Sequence, residues 1–186
     1  MVHLPPVVLA SASPRRADLL TAAGVTFRIR PAEVDERALD GESPGDYALR
    51  VALDKARACR AAPGDVVLAA DTVVVVDGLI LGKPADDGDA ARMLRLLSGR
   101  VHHVVTGVAV RSGEREAAVV ETTAVTFGGL SDEDIAWYVA SGEPRDKAGA
   151  YAVQGLASRF VSKIDGSYSN VVGLPVALVC RMLAEF

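Results

Sequence analysis

The sequence predicts an α/β fold built on a strongly twisted mixed β-sheet flanked by helices. Three observations carry that expectation. Helical segments, a tight hairpin and isolated short strands interleave in an order that is neither regular βα alternation nor all-β. The 186 residues are 50% apolar and 24% charged, enough to bury a substantial core. No repeat, low-complexity stretch or linker divides the chain, so residues 1–186 read as a single domain.

The elements follow in order. Val7–Ala10 is a short apolar run, expected as a buried strand. It leads into a helix over Pro14–Ala23, with Ser13 as N-cap, proline at the first helical position and Gly24 closing the end. Arg15 and Arg16 then occupy the first turn, where the helix dipole disfavours cations by about 0.3–1 kcal/mol each. Val25–Arg30 is a second strand, followed by an acidic loop over Glu33–Gly45. Ser43-Pro44 starts a helix running to Ala62, with Asp46 in a capping-box position and Pro63-Gly64 as the stop.

Val66–Ala70 is a strongly apolar strand entering Asp71; Thr72–Val76 continues it, Asp77-Gly78 turns, and Leu79–Leu81 returns. Gly82-Lys83-Pro84 is a tight loop. Asp86–Leu97 reads as a helix burying Ala90, Met93, Leu94 and Leu97. Two long strands, His103–Arg111 and Glu116–Phe127, precede a helix capped by Ser131 and Asp134. A glycine-rich segment holds Lys147 and Gln154. Phe160–Ile164 is a strand, Asp165-Gly166 a turn, and Pro175–Phe186 a final helix with Leu178, Val179, Met182 and Leu183 inward.

Composition excludes several functions. The net charge is −4, with no basic face of the kind a nucleic-acid binder presents. No apolar run reaches the ~20 residues that span a bilayer, so no membrane partner is expected. The start, MVHLPPVVLAS, lacks the basic region of a signal peptide, and the expected location is the cytoplasm. Cys59 and Cys180 have no metal or redox spacing and read as buried thiols. Walker, GxGxxG and Gly-x-Ser-x-Gly motifs are missing, and His102-His103 lacks a third ligand at zinc spacing.

What remains is a set of charged residues in unusual places. Of the twenty basic residues only Lys55, Lys83, Lys147 and Lys163 are lysines. At 100° per residue, Lys55 falls among Ala48, Val51, Ala52 and Cys59, on the apolar side of its helix. It either snorkels to the surface or meets an anion. Asp71 interrupts an apolar run, at a cost unless it binds a cation or makes strong hydrogen bonds, the latter including backbone N–H groups at a bulge. Ser11, Arg15, Arg16, Lys55, Asp71 and Lys83, with Glu33, Asp35 and Glu36 upstream, suit a phosphate ester handled with a divalent metal.

The chain resembles the Maf-like nucleoside triphosphate pyrophosphatases over nearly its whole length. The resemblance rests on SASPRR at Ser11–Arg16, the acid at Glu36, Lys55, ADTVV from Ala70 to Val74, GKP at Gly82–Pro84 and SGR from Ser98. It continues through TGV at Thr106–Val108, GEPRDKAGAYAVQG at Gly142–Gly155 and GSYSNVVGLP at Gly166–Pro175. It implies an elongated sheet with two lobes and a central cleft, akin to inosine triphosphatases. It also implies hydrolysis of a nucleoside triphosphate between the α and β phosphates, a requirement for Mg²⁺ or Mn²⁺, and a homodimer. By the same resemblance Asp71 accepts the proton from water and Glu36 helps Asp71 bind metal. Ser11, Arg15, Lys55 and Lys83 hold the phosphates, so SASPRR becomes an anion site at a helix N-terminus. Arg16 is left as a structural ion pair or a second phosphate ligand.

Within the family, the branch acting on dTTP and UTP carries arginine after Ser-Pro, threonine after the site aspartate and glutamine in the AYAxQG segment. Arg15, Thr72 and Gln154 match it. A glutamine amide both donates and accepts, so it suits the O4/N3–H edge of thymine or uracil. The resemblance therefore implies dTTP and UTP as substrates, with house-cleaning of modified nucleotides as a role. Two other readings stand beside it: a broad-specificity nucleotide pyrophosphatase, and a nucleotide-binding regulator of septum formation whose hydrolysis is incidental.

Overall fold

The computed structural model describes residues 6–186; the N-terminal part of the leader reading, Met1–Pro5, lies outside the described residues. The elements are β1 (Val7–Leu9), α1 (Pro14–Ala22), β2 (Phe27–Ile29), α2 (Pro44–Ala58), β3 (Val66–Val76), β4 (Leu79–Leu81), α3 (Asp87–Leu97), β5 (Val101–Ser112), β6 (Arg115–Phe127), α4 (Asp132–Ala140), β7 (Val161–Asp165), α5 (Tyr168–Val172) and α6 (Val176–Leu183). Seven strands form a mixed sheet in the order β2-β1-β3-β5-β6-β7, with β4 paired to β3. β1 is parallel to β2 and β3, whereas β3–β4 and β6–β7 are antiparallel. The α/β class and the mixed sheet are as the sequence predicts.

The chain divides into two compact units. The first comprises residues up to Thr72, Thr106–Glu121 and Gly173–Phe186; the second comprises Val73–Val105 and Thr122–Val172. In the first, alternate residues of β1 and β3 serve opposite faces, as the pleat requires. Val7, Leu9, Val66, Leu68 and Ala70 pack with Leu20 of α1 and Val179, Met182 and Leu183 of α6. Val8, Val67 and Ala69 pack on the other face with Ala52 and Ala56 of α2. Gly107 in β5 permits the approach of α2: a Cβ there would overlap the Ala48 carbonyl and the Leu49 nitrogen.

The second unit has its own core. Val74, Val76, Leu81, Met93, Leu94, Leu97, Ile135 and Tyr138 are buried together. His102, Phe127 and Tyr151 stack edge to face with centroids 4.9–5.3 Å apart. His102 is structural: it is fully buried, its Nε2 lies 2.8 Å from the Tyr151 hydroxyl, and burial pulls its pKa down to about 4.

The local signals account for most boundaries. Ser43 accepts from the Asp46 N–H, and Ser131 with Asp134 forms the full capping box. Asp77 (φ 49°) and Gly78 (φ 78°) both take the left-handed backbone that a two-residue hairpin needs. Four expectations are corrected. α2 stops at Ala58, not Ala62, because Asp65 accepts the Ala62 N–H and returns its own N–H to the Ala62 carbonyl, a closed turn that competes with the helix. α5 appears inside the GSYSNVVGLP segment, where the Ser167 hydroxyl accepts the Asn170 N–H. The final helix is shorter, Val176–Leu183, and its end unwinds into tight turns at Glu185 and Phe186. Cys180 is only half-buried, although Cys59 is buried and both thiols are free.

Candidate active site

Asp71 does not end a strand; β3 runs straight through it. Strand parity then sorts its neighbourhood. Val67, Ala69 and Asp71 face α2, whereas Leu68, Ala70 and Thr72 face α1 and α6. α2 presents Lys55 on its buried side, two turns beyond the Ala48–Gly107 contact. The two groups meet: Lys55 Nζ lies 2.8 Å from Asp71 Oδ1 and 2.7 Å from Glu36 Oε1. Lys55 therefore does not snorkel. Its side chain and that of Asp71 are each only 11% exposed, whereas Glu36 is 54% exposed.

Glu36 lies in irregular chain, but α2 holds that chain. The Tyr47 hydroxyl donates to the Glu36 carbonyl at 2.8 Å. Burial, with the nearby charges of Asp71 and Glu36 adding to it, pushes the Tyr47 phenol up to about 12, so it remains a donor at neutral pH. Arg50 donates to the Arg37 carbonyl and pairs with the Glu42 carboxylate, whose pKa it lowers.

On the opposite face of β3, Arg16 is buried and each of its three nitrogens donates a hydrogen bond. Its Nε donates to the Gly173 carbonyl (2.9 Å), one terminal nitrogen to the Ala70 carbonyl (2.7 Å) and the Ser11 hydroxyl (3.2 Å), and the other to the Thr72 hydroxyl (3.1 Å). No carboxylate touches it among these partners, so the ion-pair expectation for Arg16 is replaced by a carbonyl and hydroxyl cradle. Burial lowers its pKa and the Asp71 charge opposes that shift, but guanidinium remains charged. Ser11 also accepts the Ser13 N–H at 3.2 Å, while Ser13 itself makes no side-chain cap bond. The Thr72 hydroxyl is further bound to Thr106 (3.0 Å) and the Gly173 carbonyl (3.2 Å), so it turns away from the Lys55–Asp71 pair.

The first unit thus brings Glu36, Lys55 and Asp71 together on one face of β3, and Ser11, Arg16 and Thr72 on the other. Arg15 is half-buried in the first turn of α1. Lys83 and Gln154, both exposed, belong to the second unit: Lys83 in the loop after β4, Gln154 in a turn closed by the Gly155 N–H on the Ala152 carbonyl (3.0 Å). Sequence reasoning missed Tyr47 and undervalued Arg16. Parity along β3 is the signal that separates Asp71 from Thr72.

These features define an α/β protein of enzyme type, in which helices α1 and α2 bring guanidinium and ammonium groups to the two faces of the strand that carries Asp71. A family model described as Maf-like protein matches residues 6–186, and the chain belongs to that family. It is 54% identical over 178 residues to a Koribacter versatilis protein named dTTP/UTP pyrophosphatase, covering 95% of this chain and 92% of that one. A protein of the same name from Anaeromyxobacter dehalogenans is 55% identical over 183 residues, covering 96% and 93%. Among solved structures, a HAM1 protein from Coxiella burnetii shares the fold, with a TM-score of 0.52 at 16% identity over 97% of this chain and 99% of that chain.

Proposed function

We propose that this protein is a nucleoside triphosphate pyrophosphatase that hydrolyses the α–β phosphate bond of dTTP and UTP, releasing nucleoside monophosphate and pyrophosphate. The observation that carries this reading is the identity of 54–55%, across nearly the full length of both chains, to relatives named for that activity. The buried Asp71–Lys55 pair supports this reading with a carboxylate and a cation held side by side. In that reaction a water oxygen bonds to phosphorus, the bridging P–O bond breaks, and the water proton passes to Asp71 Oδ2. Lys55 holds Oδ1 and so fixes the plane of the carboxylate. The charge that develops on the leaving pyrophosphate is met by Lys55 and Lys83, while Arg15 and Ser11 at the start of α1 hold phosphate oxygens. Arg15, Thr72 and Gln154 select the base, Thr72 through its bonds to Arg16 and Thr106.

A divalent cation fits these residues. Two carboxylates, Glu36 and Asp71, converge on the Lys55 ammonium, so both already face a positive charge. That donor set matches Mg²⁺ or Mn²⁺, which is held by one or two carboxylates and the substrate's phosphates. Glu36 and Asp71 would hold it, and when bound it supplies neutralising charge and a more acidic water. The family resemblance extends the proposal to a homodimer in the cytoplasm.

The test is pyrophosphate release with Mg²⁺ from dTTP, UTP, GTP and 7-methyl-GTP. We expect dTTP and UTP to be preferred, EDTA to abolish turnover, and Asp71→Asn to lose about 100-fold or more in kcat. Equal kcat/KM on GTP would remove the base preference; an active Asp71→Asn variant would remove the catalytic assignment.

A further inference from the structure

Gln154 is a base-reading residue only if its backbone is held in place, and the second unit contains a device that does so. The turn Ala152–Gly155 presents Gln154 as its third residue. Tyr138, fully buried on α4, accepts the Ala152 N–H at its hydroxyl oxygen (3.1 Å) and donates its own proton to Glu143 Oε1 (2.7 Å). The Glu143 carboxylate accepts the Leu156 N–H at Oε2 (3.0 Å) and the Ala157 N–H at Oε1 (3.4 Å). One hydroxyl–carboxylate pair therefore grips the first residue of the turn and the two residues immediately after it. Gly155 completes the fit: a Cβ there would overlap the Glu143 carboxylate.

Burial, and next the hydrogen bond to Glu143, raise the Tyr138 pKa, so the phenol stays protonated and keeps both bonds at any working pH. The residue ahead of the turn is anchored as well, through the Tyr151 hydroxyl on His102. A core that needed only to fill space here could do so with phenylalanine and an apolar partner. A carboxylate collecting three donors instead fixes backbone position, which is what an amide reading a base edge requires.

We infer that Tyr138 and Glu143 are positioning residues for base selection, holding the Gln154 turn through the hydrogen bonds to Ala152, Leu156 and Ala157. This rests on the reading of Gln154 as the base-selecting residue. The experiment measures kcat and KM for dTTP and GTP, by pyrophosphate release, for wild type, Tyr138→Phe, Glu143→Gln, Gln154→Ala and Tyr138→Phe/Gln154→Ala. We expect Tyr138→Phe to lower the dTTP:GTP ratio of kcat/KM about tenfold, mainly through a higher KM for dTTP, and to add nothing further in the Gln154→Ala background. Glu143→Gln keeps the shape and one acceptor oxygen, so it should lower the ratio about threefold; it carries the test if Tyr138→Phe fails to fold. Equal losses on both triphosphates, or an independent loss in the Gln154→Ala background, would overturn the inference. If Gln154→Ala itself keeps the wild-type ratio, the base-reading assignment fails and the inference with it. If Gln154→Ala loses the ratio while folded Tyr138→Phe and Glu143→Gln keep it, only the positioning role fails.

Discussion

Replacing Lys55 with methionine should destabilise the protein far more than replacing Asp71 with asparagine, although the two side chains form one bond. Both are 11% exposed, so neither is well served by water. Lys55→Met leaves the Asp71 carboxylate buried without its ammonium; breaking a buried pair in that way costs about 3–5 kcal/mol. The Arg16 charge, which interacts with Asp71, offsets part of that cost and puts the expected loss near 3 kcal/mol. Asp71→Asn leaves Lys55 still bound to Glu36 at 2.7 Å, and an amide can accept its remaining proton, so about 1 kcal/mol is expected. The double variant should lose roughly 2 kcal/mol less than the sum of the singles, because the unpaired carboxylate is gone. For a chain of this length Lys55→Met then lowers Tm by about 6–12 °C. Urea unfolding followed by circular dichroism at neutral pH gives all three values. Single losses below about 1 kcal/mol that add without coupling would refute a mutually dependent buried pair.

Three further outcomes follow from the same geometry. His102 should make the fold acid-sensitive: its pKa falls from 6.5 to about 4 on burial, so the unfolded state binds the proton first. Stability from this group is full above pH 6.5 and declines as pH falls toward 4, by about 2–3 kcal/mol near pH 4.5, a slope that His102→Gln should remove in urea titrations. Gly107→Ala should cost at least about 3 kcal/mol, since the new methyl meets backbone of α2 and not a yielding side chain; a thermal shift within 2–3 °C of wild type would show that α2 can slide instead. Arg15→Ala should raise KM for dTTP about tenfold and lower kcat, and unchanged kinetics would refute the proposed phosphate-binding role of Arg15.

The parts of this fold that are legible in the sequence are those governed by neighbouring residues. Ser43 with Asp46, Ser131 with Asp134, and Asp77-Gly78 each settle their own geometry within four residues, and each lies where the sequence places it. The misplaced end of α2 depends on Asp65, seven residues past the helix, and α5 depends on a serine cap within a segment rich in small polar residues. At the site, Lys55 stands out because ammonium on an apolar face demands a partner, but helical period alone does not say which one. Asp71 and Thr72 look equivalent as sequence neighbours; only the pleat of β3 assigns them to different faces. The role of Arg16 is not legible in the sequence, because its partners at Ala70 and Gly173 are backbone carbonyls, which carry no sequence signature.

The chain bearing Glu36 lacks regular structure, yet it is not slack. It is stapled to α2 at the Glu36 carbonyl by Tyr47, at the Arg37 carbonyl by Arg50, and at Glu42 by the same arginine. Lys55 rides on that helix, so the exposed acid and the buried ammonium travel as one rigid piece. An extra residue inserted before Glu36 would only lengthen a tether. One inserted between Glu36 and Glu42 would throw the staples out of step and pull the acid off the lysine. Tolerance to insertion should therefore change abruptly at Glu36, a boundary drawn by two side chains of a neighbouring helix.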